Sequence, residues 1–261
     1  MAEFQRHAPG GTISQVLKRV EHRYVKPLLR KLKPWRTTTK YAGLRVHFKT
    51  HLDGGGSTIG QNFLPFLDQR GMPRQDRAFE WCSGPGFVGF SLLAFGFCDT
   101  LCLVDINPLA VRACRRTIAE NRLSDRVSVY LSDNLADIPQ TERWDLVVSN
   151  PPHFLEAAQG DIRSLDTDWQ IHRGFFGAIG RFLKPGGVII LQESTRGSTA
   201  ETFRDMIEQA GLTIVFASGC GKTLTRYEAH YFLASCGKVT RSRGCGLIWL
   251  ARMTRQPARH S

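Results

Sequence analysis

Short apolar runs bounded by glycine, proline or asparagine alternate through the middle of this chain with longer stretches in which apolar residues recur at helical spacing. The short runs predict strands at Ala78–Ser83, Leu101–Val104, Val127–Leu131, Asp145–Ser149, Val188–Gln192, Thr213–Phe216 and Glu228–Ala234. Helices are expected at Ile59–Arg70, at Phe90–Phe95, and from Pro108 to Asn121, where Asn107 and Pro108 supply an N-cap and a first-turn proline. Seven strands with helices between most of them imply an α/β fold. The two closing strands flank GKTLTR and are expected to pair as a hairpin.

The flanks differ from this centre. Ile13, Val16, Val20, Tyr24, Leu28 and Leu32 follow a helical period, with Lys18, Arg19, Arg23, Lys26, Arg30, Lys31 and Lys33 on the remaining surface and a bend expected near Pro27. Of the net charge of +12, residues 1–50 hold 12 Lys and Arg against 2 acids, and residues 237–261 hold 6 against none. The centre is slightly acidic. The organisation is read as a basic helical N-terminal extension over 1–50, a catalytic-sized α/β domain over 51–236 and a basic, loosely held C-terminal tail over 237–261. Three readings of the basic helix stay open: docking on the core, contact with RNA phosphates, or binding an anionic membrane or partner.

No apolar run approaches the roughly 20 residues of a membrane span, and the N-terminus lacks the apolar centre of a secretory signal, so a cytoplasmic location is expected. The seven cysteines form no CxxC pair and read as reduced core residues, with no metal site.

The chemistry concentrates in two motifs. Asn150, Pro151, Pro152, His153 and Phe154 follow a predicted strand. The prolines remove two N–H donors and fix φ, leaving nearby carbonyls outside any ladder and free to accept. The Asn150 amide oxygen and the Pro151 carbonyl then suit a planar NH₂ group, with His153 and Phe154 as a stacking wall. A turn after a strand is the plainer reading of the same residues. Upstream, the strand ending at Ser83 runs into GPGFVG (Gly84–Gly89), an order that brings backbone N–H groups and a helix start to a ligand. Asp105 ends the next strand, about where a ribose-binding acid is expected in dinucleotide enzymes. The glycine pattern alone does not separate NAD from other nucleoside cofactors. No second glycine turn preceded by a strand follows it, which argues against NAD.

FEWCSGPG (Phe79–Gly86), VDINPLAV (Val104–Val111), SDN (Ser132–Asn134), NPPHF and FLKPGGVIIL (Phe182–Leu191), with LDGGGSTIGQNFLPFL (Leu52–Leu67) ahead of them, occur in an order that resembles the class I S-adenosylmethionine-dependent methyltransferases. The resemblance is to the methyltransferase small domain family, whose members methylate ribosomal RNA guanine-N2, tRNA adenine-N6 or release-factor glutamine. It covers roughly Leu52–Leu233. It implies a Rossmann-like, seven-stranded, mostly parallel sheet with helices on both faces, its closing hairpin antiparallel to the rest.

The resemblance also implies S-adenosyl-L-methionine as cofactor. Glu80, Cys82, Ser83, Gly84 and Gly86 would lie at its amino-acid end, Asp105 with Asn107 at the ribose, Asp133 with Asn134 at the adenine, and Asn150 between cofactor and acceptor. Cys82 stands where many members carry a glycine, Glu80 replaces an aspartate, and His153 holds the place of a tyrosine or phenylalanine. The implied reaction is methyl transfer to a planar amine or amide nitrogen, with a base in RNA favoured. A protein glutamine, a small metabolite, and a non-catalytic nucleic-acid-binding or partner-activating protein of the same fold remain as alternatives. Asp53–Gly56 reads as a flap over the cofactor, with a flexible approach to the following helix as the other reading. Trp169, His172 and Arg173 follow the clamp, and contact with substrate is one reading of them; a core Trp169 and a solvated His172–Arg173 pair is the plainer one.

Overall fold

The computed structural model describes residues 38–49, 52, 56–156, 162–194, 197–219, 229–235, 238–239 and 251–252. The chain divides into two units, 1–36 and 37–261, and all described residues belong to the second. The predicted basic helix, the Asp53–Gly55 part of the flap and nearly all of the C-terminal tail lie outside the described residues.

In chain order the main elements are β1 (Thr38–Tyr41), β2 (Leu44–His47), α1 (Gly56–Gln69), β3 (Gln75–Trp81), α2 (Phe87–Ala94), β4 (Cys98–Asp105), α3 (Pro108–Glu120), β5 (Val127–Leu131) and β6 (Trp144–Ser149). They continue with α4 (Gln170–Ile179), β7 (Leu183–Ser194), α5 (Arg204–Gln209), β8 (Thr213–Gly219) and β9 (Ala229–Ser235). A further two-residue pair, Lys238–Val239 with Ala251–Arg252, forms an antiparallel ladder of its own.

The main sheet has seven strands in the order β5-β4-β3-β6-β7-β9-β8. Strands β3 to β7 pair in parallel, as expected. The closing hairpin differs from expectation in one respect. β9 pairs antiparallel with both β7 and β8, so only β9 runs against the sheet and β8 lies parallel to the rest. β8 runs with β7 because β9 lies between them and pairs antiparallel with each.

Parallel strands covered on both faces must be apolar on both, and β3 carries this through alternation. Phe79 and Trp81 join one buried cluster with Trp144, Val147, Phe175 and Phe203. Ala78 joins the other with Leu101, Leu103, Phe63, Phe90 and Cys114. Phe79 stacks on Trp144 at 3.8 Å between centroids, and Trp81 stacks on Phe175 at 4.0 Å. These rings anchor β3 to β6 on one face and to α4 beyond it.

Boundaries shift where polar or glycine residues blur the pattern. β4 begins at Cys98, three residues earlier than predicted, because Asp99 and Thr100 lengthen it with polar side chains; the Thr100 hydroxyl donates to the Asp76 carbonyl at 2.9 Å. α2 begins at Phe87 directly after Gly86, which adopts φ +79°.

Residues 38–47, expected within a helical extension, form an antiparallel hairpin instead. Its β-branched and aromatic residues favour strand. Asn121, just past α3, holds it: Arg45 N–H donates to the Asn121 side-chain oxygen at 3.0 Å, and the Asn121 amide donates back to the Arg45 carbonyl at 2.9 Å. His47 N–H donates to Thr117 Oγ1 at 2.9 Å. Tyr41 and Phe48 then meet Phe87 edge-on, at 4.9 and 5.4 Å.

Asn121→Ala removes both reciprocal bonds and strands two backbone groups at the hairpin. It is expected to lower unfolding free energy by about 1 to 2 kcal/mol, read from the urea midpoint at unchanged slope. A midpoint equal to the parent's contradicts this docking.

Candidate active site

Strand order reverses at β3, whose neighbours β4 and β6 leave it toward opposite edges of the sheet. In an open parallel sheet such a reversal opens a crevice at the strands' carboxyl ends. A cavity of about 410 Å³ lies there, lined by residues from the ends of β3, β4, β5 and β6.

The turn after β3 is built on left-handed backbone. Cys82, Gly84 and Gly86 take φ of +53°, +50° and +79°. At Gly86 a Cβ would lie 2.8 Å from the Phe90 ring, so both conformation and space require glycine. Cys82 adopts the same region with a side chain, the departure from glycine noted in the sequence.

Asp105 closes this turn. Its carboxylate accepts from Gly84 N–H at 2.7 Å and from Asn107 N–H at 2.8 Å, while Asn107 Oδ1 caps α3 by accepting from Leu109 N–H at 2.9 Å. Burial pushes the Asp105 carboxyl up, opposed by the two N–H donors. Each oxygen keeps a further lone pair for a ligand.

Glu80 has a different place. It is 4% exposed beneath α2, and its carboxylate accepts from Gly89 N–H at 2.6 Å. Burial pushes its carboxyl up to about 8, against the pull of the Gly89 and Val88 N–H groups. A Cβ at Gly89 would stand 2.7 Å from this carboxylate. Glu80 therefore binds the helix start that the glycine turn leads into.

Among the sequence-predicted residues, Cys82, Gly84, Asp105, Asn107, Asp133, Asn134, Asn150, Pro151, Pro152 and His153 line the cavity together. Glu80, Ser83, Gly86 and Phe154 stand outside its wall. Ser83 is buried and donates its N–H to the Val104 carbonyl at 2.9 Å. Asn134 takes φ +55° and donates its amide to the Ile171 carbonyl at 2.7 Å; its side-chain oxygen is buried with no hydrogen-bond partner among the described residues.

The run after β6 is fixed from several sides. The Ser149 hydroxyl donates to the Trp81 carbonyl at 2.5 Å, pinning the end of β6 to that of β3. His153 Nδ1 lies 2.8 Å from the Pro151 carbonyl oxygen. A carbonyl only accepts, so this nitrogen carries the proton, and one lone pair of the Pro151 carbonyl is already engaged. His153 and Phe154 N–H both donate to the Ser164 carbonyl, at 3.1 and 3.0 Å, and Asp166 N–H donates to the Phe154 carbonyl at 2.7 Å.

Sequence reasoning missed several wall residues. Trp81 forms part of the wall one residue before Cys82, a position readable from strand alternation. Arg163, Ser164 and Leu165 also line it, from a segment with no periodic signal, and Ile171 joins them from the first turn of α4. The reading of His172 as solvated is overturned: it is fully buried between two carboxylates, at 2.6 Å from Asp166 and 3.3 Å from Glu193. Arg173 is exposed, as read; Trp169, read as a core residue, is only half-buried, packed against Phe203 at the edge of the core cluster.

The model of the family described as methyltransferase small domain matches residues 46–212. A release factor glutamine methyltransferase of Bordetella pertussis is 36% identical over 165 residues, covering 57% of this chain and 57% of that protein. A ribosomal RNA small subunit methyltransferase C of Haemophilus influenzae is 30% identical over 95 residues, covering 35% of this chain and 28% of that protein. The chain thus spans less than two thirds of the length of either relative. A solved T. thermophilus 16S rRNA N2 G1207 methyltransferase, in complex with AdoMet and guanosine, matches with a TM-score of 0.54 at 16% identity, covering 77% of this chain and 50% of that one. At that identity the likeness concerns the fold.

Glu80 makes a signed pH prediction. Its folded-state carboxyl, at about 8, lies above its ordinary 4.5, so the folded protein holds this proton more tightly than the unfolded chain. Stability from this group is complete below the ordinary value and is lost as pH rises toward 8, at up to about 1.4 kcal/mol per pH unit. Glu80→Gln lacks the proton and is expected to gain on the parent across that window in urea titrations at stepped pH. Parallel curves for the two proteins contradict the buried, proton-holding Glu80.

Proposed function

Because the chain belongs to the methyltransferase small domain family, we propose that it transfers a methyl group from S-adenosyl-L-methionine to a planar amine or amide nitrogen, most simply a base in RNA. One observation carries this reading: a single cavity wall contains both the Asp105–Asn107 strand end and the Asn150–His153 run.

The wall residues fit that cofactor. Asp105 offers carboxylate lone pairs for ribose hydroxyls, and Asn107, Asp133 and Asn134 supply polar groups beside the apolar Val104, Ile106 and Ala110, which suit a flat base. The buried Asn134 oxygen without a partner among the described residues marks a place for a donor. Cys82 and Gly84 offer backbone to the amino-acid end, on a turn that Ser83 and Gly86 shape from outside the wall. Glu80 supports that turn through α2.

When bound, S-adenosyl-L-methionine would supply a sulfonium-activated methyl carbon; as the acceptor nitrogen bonds to it the C–S bond would break, S-adenosylhomocysteine would leave as a neutral thioether, and one N–H proton of the acceptor would pass to solvent. The chain's task is positioning and charge stabilisation, where pre-arranged geometry is worth several kcal/mol. The Asn150 amide oxygen and the second lone pair of the Pro151 carbonyl accept the two hydrogens of the acceptor amine. That favours a pyramidal nitrogen and stabilises the charge that grows on it. His153, holding the Pro151 carbonyl through Nδ1–H, fixes the direction of that oxygen and offers a ring face to the acceptor. No strong base is required.

RNA is favoured as acceptor by the charge of residues 1–50 and by the ribosomal RNA relative. The release-factor relative favours the second reading, a protein glutamine. A small planar metabolite and a non-catalytic protein of the same fold are the remaining readings. Among the described residues, Cys82, Cys98, Cys102 and Cys114 are free thiols, in keeping with the cytoplasm as the site of reaction.

Incubation with methyl-labelled S-adenosylmethionine and fractionated RNA, protein and metabolites from cells lacking the protein tests the proposal. Label in RNA, weakening with salt, is expected; label in protein or metabolites moves the acceptor, and no label anywhere removes the enzyme reading. Asn150→Ala is expected to cut turnover at least 100-fold, about 2.7 kcal/mol or more, with cofactor affinity by calorimetry nearly unchanged. Retained turnover makes the run a turn with no clamp.

A further inference from the structure

Behind the Asn150–His153 run lies a buried polar network with no part in the mechanism above. Asp166, His172, Glu193 and Ser198 are each at most 2% exposed. His172 places Nδ1 2.6 Å from Asp166 Oδ2 and Nε2 3.3 Å from Glu193 Oε1. Both ring nitrogens face carboxylate oxygens, which accept only, so the arrangement is satisfied by a doubly protonated imidazolium. Burial disfavours that cation, but the hydrogen bonds and charges of Asp166 and Glu193 outweigh it and hold the ring above its ordinary pKa. The ring is also clamped flat on Phe203 at 4.0 Å and 8°, with Trp81 edge-on at 5.3 Å.

The two carboxylates lead to the two segments that pack on the run. On one side, Asp166 donates its N–H to the Phe154 carbonyl, and Ser164, two residues earlier, accepts from His153 and Phe154. Asp166 Oδ1 also accepts from Ile171 N–H at 2.8 Å. On the other side, Glu193 Oε2 accepts from the Ser198 hydroxyl at 2.5 Å. Next to Ser198, Gly197 lies so close that a Cβ there would overlap the His153 carbonyl oxygen and stand 2.6 Å from the Phe154 ring. The His153–Phe154 backbone is thus held between two segments that the Asp166–His172–Glu193 bridge links to each other.

We propose that His172 is a positioning residue that sets the acceptor clamp: bridging Asp166 and Glu193, it locks the 164–166 and 197–198 segments around His153 and Phe154. Its consequence for turnover rests on the methyltransferase reading, but its structural content does not. A buried ion pair broken on one side leaves an uncompensated charge, so loss of His172 is felt at both segments.

Residue-resolved amide exchange by NMR on the full chain tests this without needing methyl transfer. In His172→Gln, the amides of His153, Phe154 and Asp166 are expected to exchange at least about tenfold faster through local opening, while Gly89 and Asn107 stay within about twofold. Unchanged exchange at His153 and Phe154, or an equal rise at all five amides, overturns the proposal. If that variant fails to fold, Ser198→Ala removes only the Glu193 link; a rise of about threefold or more confined to the same three amides is expected, and anything less overturns it. Where the parent transfers methyl groups, the variant is expected to lose at least tenfold in kcat with cofactor Kd within twofold. Proportional loss of both is the contrary result, and an inactive parent leaves the exchange test in force.

Discussion

The parallel pairing of β3 with both β4 and β6 is the constraint from which the site follows. β6 pairs through Ala78↔Leu146 to Trp81↔Ser149, and β4 through Gln75↔Cys98 to Glu80↔Leu103. Because the chain leaves β3 for β4 and only later returns beside it as β6, the loops at their carboxyl ends part and leave a crevice. Stacking of Phe79 on Trp144, with the Ser149 hydroxyl donating to the Trp81 carbonyl, keeps the ends of β3 and β6 level. Without that level edge the glycine turn and the proline run would not share one wall.

Two acids then shape the turn after β3. Asp105 gathers the N–H groups of Gly84 and Asn107, and Glu80 takes those of α2 from below. Both sit where burial opposes their charge, and both are offset by backbone donors at or near helix starts. Asp105 remains part of the cavity wall. Glu80 is enclosed, and it shapes the turn through the backbone it holds.

The strand-and-helix alternation was legible because parallel strands buried on both faces read as dense apolar runs, as in LCLV and LVVS. The strand-end motifs were legible because glycine with positive φ and paired prolines have few other uses. The β1–β2 hairpin was not, since TTKYAGLRVH has no strong apolar period and owes its place to Asn121 and Thr117, some 70 residues away. The direction of β8 was not either, because antiparallel pairing to β9 says nothing of which strand inserts next to β7. His172 looked like a solvated histidine beside Arg173; its carboxylate partners come from segments six residues before and 21 residues after it, a proximity that only folding creates.

The central claim is that one cleft holds a nucleoside cofactor on the Asp105 side and an acceptor nitrogen on the Asn150 side. A crystal structure with S-adenosylhomocysteine is its most direct measurement. The account predicts ribose hydroxyls within hydrogen-bond distance of the Asp105 carboxylate and the thioether sulfur facing Asn150 and Pro151 across open space. A nucleoside bound elsewhere, or one whose sulfur is walled off from the Asn150–His153 run, would contradict it.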